Sequence, residues 1–174
     1  METQGPTDRI RCMGLCRCGE HSTLGVLCCN RERSCSWDTD TIDLHAGQEI
    51  YYNTHQIFFS PRALFLVVTS AINYDVERVE FWLRSICLQL PSSPILMVIT
   101  HTDDRRCSRE HLAGLINHLS TICRSFPKNV KGIAAVSSKT LHGIDKLVET
   151  VTNTAMQQVM RRYFTSIFPQ SAIA

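Results

Sequence analysis

Three short apolar runs, separated by helix-length segments, constrain this chain more than any other feature. "ALFLVVT" (63–69), "ILMVIT" (95–100) and the weaker "GIAAVS" (132–137) read as strands buried on both faces. Between and after them, apolar residues recur at spacings of three and four. Val76, Val79, Leu83, Ile86 and Leu90 form one stripe, stopped by Pro91 and Pro94. Leu112, Leu115, Ile116, Leu119, Ile122 and Cys123 form a second, with Ser108 placed as N-cap and Glu110 in the first turn. Ile144, Leu147, Val148, Val151 and Ala155 form a third, expected to run to about Arg162. Strand and helix in strict alternation imply parallel strands joined by right-handed crossovers. The expected class is α/β, a mostly parallel sheet with helices on both faces, whose ligands bind beyond the carboxyl ends of the strands.

The 174 residues suit one domain, and 44% hydrophobic against 20% charged residues can fill a core. A net charge of +2 is too small to argue for nucleic acid or an anionic membrane as main partner. No apolar run approaches the roughly 20 residues of a membrane span. "METQGPTDRIRC" has no apolar core of the secretory kind, so a cytoplasmic chain is expected, its nine cysteines reduced. Six of those cysteines crowd the first 35 residues. With His21 they leave a zinc site as a minor alternative, although their spacings match no zinc frame.

The loops after the strands carry the candidate chemistry. "THTD" (Thr100, His101, Thr102, Asp103) follows the second strand and "SSKT" (Ser137, Ser138, Lys139, Thr140) the third. A carboxylate fixed beyond one strand can accept two N–H bonds from guanine, which adenine does not offer. The Lys139 stem can cover a flat base, and a backbone N–H near Ser138 can reach its carbonyl. In "AGQEIYY" (46–52), Gly47 lets a backbone N–H approach a terminal phosphate, and Gln48 is placed to orient an attacking water. Each motif alone has a plainer meaning: a capping loop, a common tetrapeptide, a turn. Their order on successive loops is what points to a nucleotide.

These residues together resemble the Ras-type GTPase fold, and more narrowly the Roc (Ras of complex proteins) domain of the Roco family. "AGQEIYYNTHQIFFSPRALFLVV", "THTD" and "SSKTLHGIDKLVE" carry the resemblance over about residues 46–160. Roc domains tend to have Thr-His-x-Asp where other Ras relatives have Asn-Lys-x-Asp. The resemblance implies a GTP- and GDP-binding signalling domain with Mg2+ as a cofactor. It also implies partners that dock on the Ras-like surface, a dimer among the options, and a domain of residues 9–162 between a flexible 1–8 and a 163–174 tail.

The family pattern breaks in the N-terminal part, where 9–40 is degenerate and Cys-rich. "RIRCMGLCRCGEHSTLGVL" resembles a strand (Arg9 to Met13), a phosphate loop and a helix start, with Gly14 and Gly19 at the family separation. Glu20 stands where the lysine belongs, and Ser22 comes one residue late. The glycine motif, often "WDTAGQE", reads "WDTDTIDLHAGQE" here. Either a six-residue insert (40–45) separates Asp38 from Gly47, or Asp43 takes over with a one-residue bulge. Asp38, Asp43 and Ser22 are the metal candidates, and Gly14, Gly19, Ser22 and Gly47 the phosphate candidates. A rival alignment takes "STLG" (22–25) as the first switch, with no phosphate loop. Both alignments predict weakened phosphate and Mg2+ binding with slow or absent GTP hydrolysis. A non-catalytic Ras-fold scaffold is the alternative function.

Overall fold

The computed structural model describes the backbone over residues 9–14, 42–45 and 63–167. Five strands form one sheet: β1 (Arg9–Gly14), β2 (Ile42–His45), β3 (Ala63–Ser70), β4 (Ile95–Thr100) and β5 (Val130–Ala135). Their order is β2-β1-β3-β4-β5, and every pairing is parallel. Three helices follow the last three strands: α1 (Val76–Gln89), α2 (Arg109–Cys123) and α3 (Ile144–Ile167).

The central strands are apolar up to the hydroxyl residues at their carboxyl ends because the sheet is covered on both sides. Phe65 and Val67 of β3, with Ile95, Met97 and Ile99 of β4, pack against Val79, Trp82, Leu83 and Ile86 of α1 and Leu115, Leu119 and Ile122 of α2. The alternate residues Leu64, Leu66, Val68, Leu96 and Val98 meet Ile144, Leu147 and Val151 of α3 on the other face. This two-sided burial forbids the polar alternation of a half-exposed sheet. Asp75 caps α1 by accepting the Arg78 N–H, and Ser108 caps α2 by accepting the His111 N–H, as the sequence predicts for Ser108.

Two boundaries differ from expectation. β5 begins at Val130 and ends at Ala135, two residues earlier than the run "GIAAVS" suggests. Val136 and Ser137 continue the buried pattern at 0% exposure but have left the ladder to begin the loop. α3 extends beyond Arg162 to Ile167.

Register fixes what lies at each end of the sheet. Asp43 pairs with Arg11, Arg11 with Phe65, Phe65 with Ile95 and Ile95 with Val130, so Asp43 stands in the row that opens β4 and β5. Gly14 closes β1 in the row of Val68 and Val98. Ser70 and Thr100 pair in the last row.

Candidate nucleotide site

Two loops meet beyond the carboxyl ends of β4 and β5. The first turns sharply at His101, whose φ of 60° lies in the left-handed region that β-carbons disfavour. The turn is closed by Asp104 N–H donating to His101 O (3.2 Å) and Cys107 N–H donating to Asp104 O (2.9 Å). The second loop leaves β5 through Val136, whose N–H donates to Ile99 O at 2.8 Å, and returns through Gly143 into α3. Gly143 has φ +75°, and a β-carbon there would stand 2.4 Å from Ala135 O. Only glycine accepts both conditions.

The Ser137 hydroxyl ties the loops together. It donates to Asp103 Oδ1 at 2.5 Å and accepts the Thr140 N–H at 3.1 Å. Ser137 is fully buried, while Asp103 is exposed at the loop surface. A hydroxyl bonded to a carboxylate fixes the carboxylate plane and leaves the second oxygen available. Thr100 is also buried, and its hydroxyl donates to Thr69 O at 3.2 Å, binding the loop root to β3.

A cleft of about 550 Å³ opens between the loops, lined by His101, Asp103, Asp104, Arg105, Arg106 and Lys139. That volume falls within the usual range of small-molecule sites. Asp104 is engaged by its neighbour: Arg106 Nε donates to Oδ1 (3.0 Å), Arg106 Nη2 to Oδ2 (2.9 Å) and Arg106 N to Oδ1 (2.9 Å). These bonds, the side-chain pair first, hold the Asp104 carboxyl well below the usual carboxylate range and push the Arg106 guanidinium up. With Asp104 spent on Arg106, Asp103 is the carboxylate of the cleft available to a ligand.

Of the guanine-site residues read from the sequence, His101, Asp103 and Lys139 share this cleft. Thr100 and Ser137 sit beneath it as supports, and Ser138 lies in the same loop, half-buried. Gly14 closes β1 at the same end of the sheet. Asp43 lies within β2, in the row that opens β4 and roughly 16 Å along the strands from the row of Thr100. Residues 42–45, within the stretch 40–45 that separates Asp38 from Gly47, form a strand of the sheet paired with β1. Gly19, Ser22, Asp38, Gly47 and Gln48 lie outside the described residues, as do all the N-terminal cysteines except Cys12. Among the described residues no group of three or more His, Cys, Asp or Glu side chains could hold a metal ion, and no helix is long and apolar enough to cross a membrane.

Sequence reasoning missed Ser70, Asp104, Arg105 and Arg106. Ser70 lies 31 residues from His101, whose Nδ1 it meets at 3.3 Å, so only the topology brings them together. The pair Asp104–Arg106 is local, and its i, i+2 spacing after a strand is a turn signal that could have been read.

Comparison with known proteins follows the same lines. The family model described as "Ras of Complex, Roc, domain of DAPkinase" matches residues 19–103, ending on Asp103. The probable serine/threonine-protein kinase roco6 of Dictyostelium discoideum is 36% identical over 116 residues, 64% of this chain. Pats1 of the same organism, another probable serine/threonine-protein kinase, is 38% identical over 105 residues, 60% of this chain. The chain spans only 5% and 3% of the lengths of these two relatives. The Rho-related GTP-binding protein RhoH of Mus musculus is 25% identical over 134 residues, covering 76% of this chain and 66% of RhoH. Among solved structures, Methanosarcina barkeri Roco2 RocCORdC bound to GDP superposes with a TM-score of 0.63 at 22% identity, over 88% of this chain and 50% of that one. Elongation factor SelB of Methanococcus maripaludis in its apo form also gives 0.63, at 19% identity, over 84% of this chain and 34% of that one. The fold is thus that of the Ras-like P-loop GTPases, and within it residues 19–103 match the Roc family model, with similarity to the Roco kinases over 60–64% of the chain.

Proposed function

We propose that this chain is a guanine-nucleotide-binding signalling domain of the Roc type, with a weakened grip on phosphate and Mg2+ and slow or absent GTP hydrolysis. The observation that carries the reading is the 2.5 Å bond from Ser137 Oγ to Asp103 Oδ1, made in a cleft that Lys139 also lines. A carboxylate held in this way receives the two N–H groups of guanine's edge, and adenine has no equivalent pair. The Lys139 stem covers one face of the base, Thr100 and His101 shape the loop, and Ser137 and Ser138 hold the segment that meets the base carbonyl.

The phosphate side is weaker on chemical grounds. Glu20 takes the place of the lysine that would neutralise phosphate, and it repels rather than attracts. By their spacing in the sequence, Gly14 and Gly19 would supply backbone N–H groups to a phosphate nest, and Ser22 and Gly47 are the other phosphate candidates. Mg2+ chemistry would neutralise the phosphates during transfer. Asp43, in the row that opens β4, is poorly placed to serve it, and Asp38 and Ser22 are the other candidates. Gln48 would orient water, but orientation without charge neutralisation gives little rate.

The test is calorimetric titration with GDP, GTP and ADP, with and without Mg2+. Binding that is selective for guanine, indifferent to Mg2+ and lost in Asp103→Ala supports the reading. Equal affinity for ADP, or none for any guanine ligand at millimolar concentration, rejects it. A non-catalytic Ras-fold scaffold is the second reading. It is favoured by Phe81 (40% exposed) and Leu88 (83% exposed), which lie two turns apart on α1 as an apolar surface for a protein partner or a dimer.

A further inference from the structure

We propose that Ser70 is a positioning residue of the cleft: its hydroxyl fixes the tautomer of His101, so that the neutral imidazole carries its proton on Nε2 and offers an N–H donor to a bound ligand. The inference rests on the guanine-site reading for the identity of that ligand and on the hydrogen bonds below for the rest.

Ser70 closes β3 and Thr100 closes β4, paired in the last row of the sheet and both almost fully buried. The left-handed turn at His101 brings Nδ1 over this row, 3.3 Å from Ser70 Oγ and 3.0 Å from Thr100 Oγ1. The Thr100 proton is committed, since the hydroxyl donates to Thr69 O. Ser70 Oγ accepts the Ile72 N–H (3.2 Å) and the Asn73 N–H (3.5 Å), which occupies its lone pairs. The Ser70 proton therefore needs an acceptor of its own, and among the described residues His101 Nδ1 is the one within reach.

The competing arrangement puts the proton on Nδ1 and directs it at Thr100 Oγ1. That choice strands the Ser70 proton in a position only 2% exposed. The first arrangement leaves a lone pair of Thr100 Oγ1 unused and facing the bare Nδ1 at 3.0 Å. A stranded buried donor costs more than an unused acceptor, so the balance favours the bare Nδ1. The proton then resides on Nε2. His101 lines the cleft, and no bond to Nε2 is recorded among the described residues. The ring thereby becomes a neutral donor for a carbonyl, ring-nitrogen or phosphate oxygen acceptor. Without the Ser70 hydroxyl, Nδ1–H to Thr100 becomes the satisfied state and Nε2 turns into an acceptor. One buried oxygen thus decides the sign of the contact His101 offers.

The test uses the full chain labelled with 15N-histidine, at about pH 8 where an ordinary imidazole is neutral. Long-range 1H–15N correlation spectra report which ring nitrogen holds the proton, with no ligand present. The expected result is Nε2–H in the native chain, Nδ1–H in Ser70→Ala and a return to Nε2–H in Ser70→Thr. A native Nδ1–H signature, or a Ser70→Ala spectrum unchanged at His101, overturns the proposal. Guanosine titration supplies the functional readout without the titration of a phosphate. Ser70→Ala should weaken guanosine roughly tenfold and Ser70→Thr should restore it. Guanosine bound equally by native and Ser70→Ala chains removes Ser70 from the site while the guanine reading stands. Failure of the native chain to bind guanosine, with the tautomer change present, ends the guanine reading and leaves the Ser70–His101 relationship intact.

Discussion

Ser137 Oγ lies 2.5 Å from Asp103 Oδ1, joining two loops that are 34 residues apart in the chain. The short distance and the buried hydroxyl mark a charge-assisted bond that orients the carboxylate before any ligand arrives. Ser137→Ala removes this bond and also the acceptor of the Thr140 N–H. We expect guanine-nucleotide affinity to fall about 10- to 100-fold, since hydrogen bonds to charged groups contribute roughly 1.5–3 kcal/mol. Calorimetry with GDP checks this, and an unchanged Kd would show that Asp103 needs no such support.

Asp103→Asn makes a sharper test of what the carboxylate reads. The amide replaces one acceptor oxygen with a donor, which opposes guanine's N–H groups and matches a purine bearing a carbonyl at that edge. The expected outcome is a switch in preference from guanine to xanthine nucleotides, read by competition titration.

Gly143→Ala should destabilise the fold as well as the site. The backbone there has φ +75°, and the added carbon would overlap Ala135 O at 2.4 Å, a backbone atom that cannot swing aside. A loss of at least about 1–3 kcal/mol is expected, measured as a lower urea midpoint. Ser108→Ala is the milder comparison: it removes the cap of α2 and should cost about 1 kcal/mol.

Burial pushes the Cys123 thiol up to about 11 from its ordinary 9.0. The folded chain therefore holds this proton more tightly than the unfolded chain. Its contribution to stability is complete below about pH 9 and is lost as pH rises through 11. Cys123→Ala lacks the group, so the stability gap between native and variant chains should narrow between about pH 8 and pH 11. A gap that stays constant in urea titrations at both values contradicts the assignment.

Much of the frame was legible because burial on both faces leaves a plain record. β3 and β4 show as unbroken apolar runs, and Ser108 shows as a cap because a hydroxyl before an apolar stripe has few other uses. β5 was displaced in the reading because Val136 and Ser137 are buried for the sake of the loop and α3, not for the ladder. The edge residue Lys131, exposed and polar, hid the true start of the strand. Asp103, His101 and Lys139 were legible as motif residues on strand-ending loops, and all three line the cleft. Among their supports, Thr100 and Ser137 were read within the motifs themselves. Ser70 was not: it is an ordinary hydroxyl residue at a strand end, whose importance arises only when β3 and β4 lie side by side.

The sheet order has a consequence for how this domain tolerates change. The loops bearing Asp103 and Lys139 spring from β4 and β5 on one flank, whereas Gly14 and Asp43 belong to β1 and β2 on the other. The two flanks communicate through β3, a strand without a single solvent-facing side chain. A substitution in β1 or β2 therefore reaches the loops of β4 and β5 by way of a strand that is buried along its whole length.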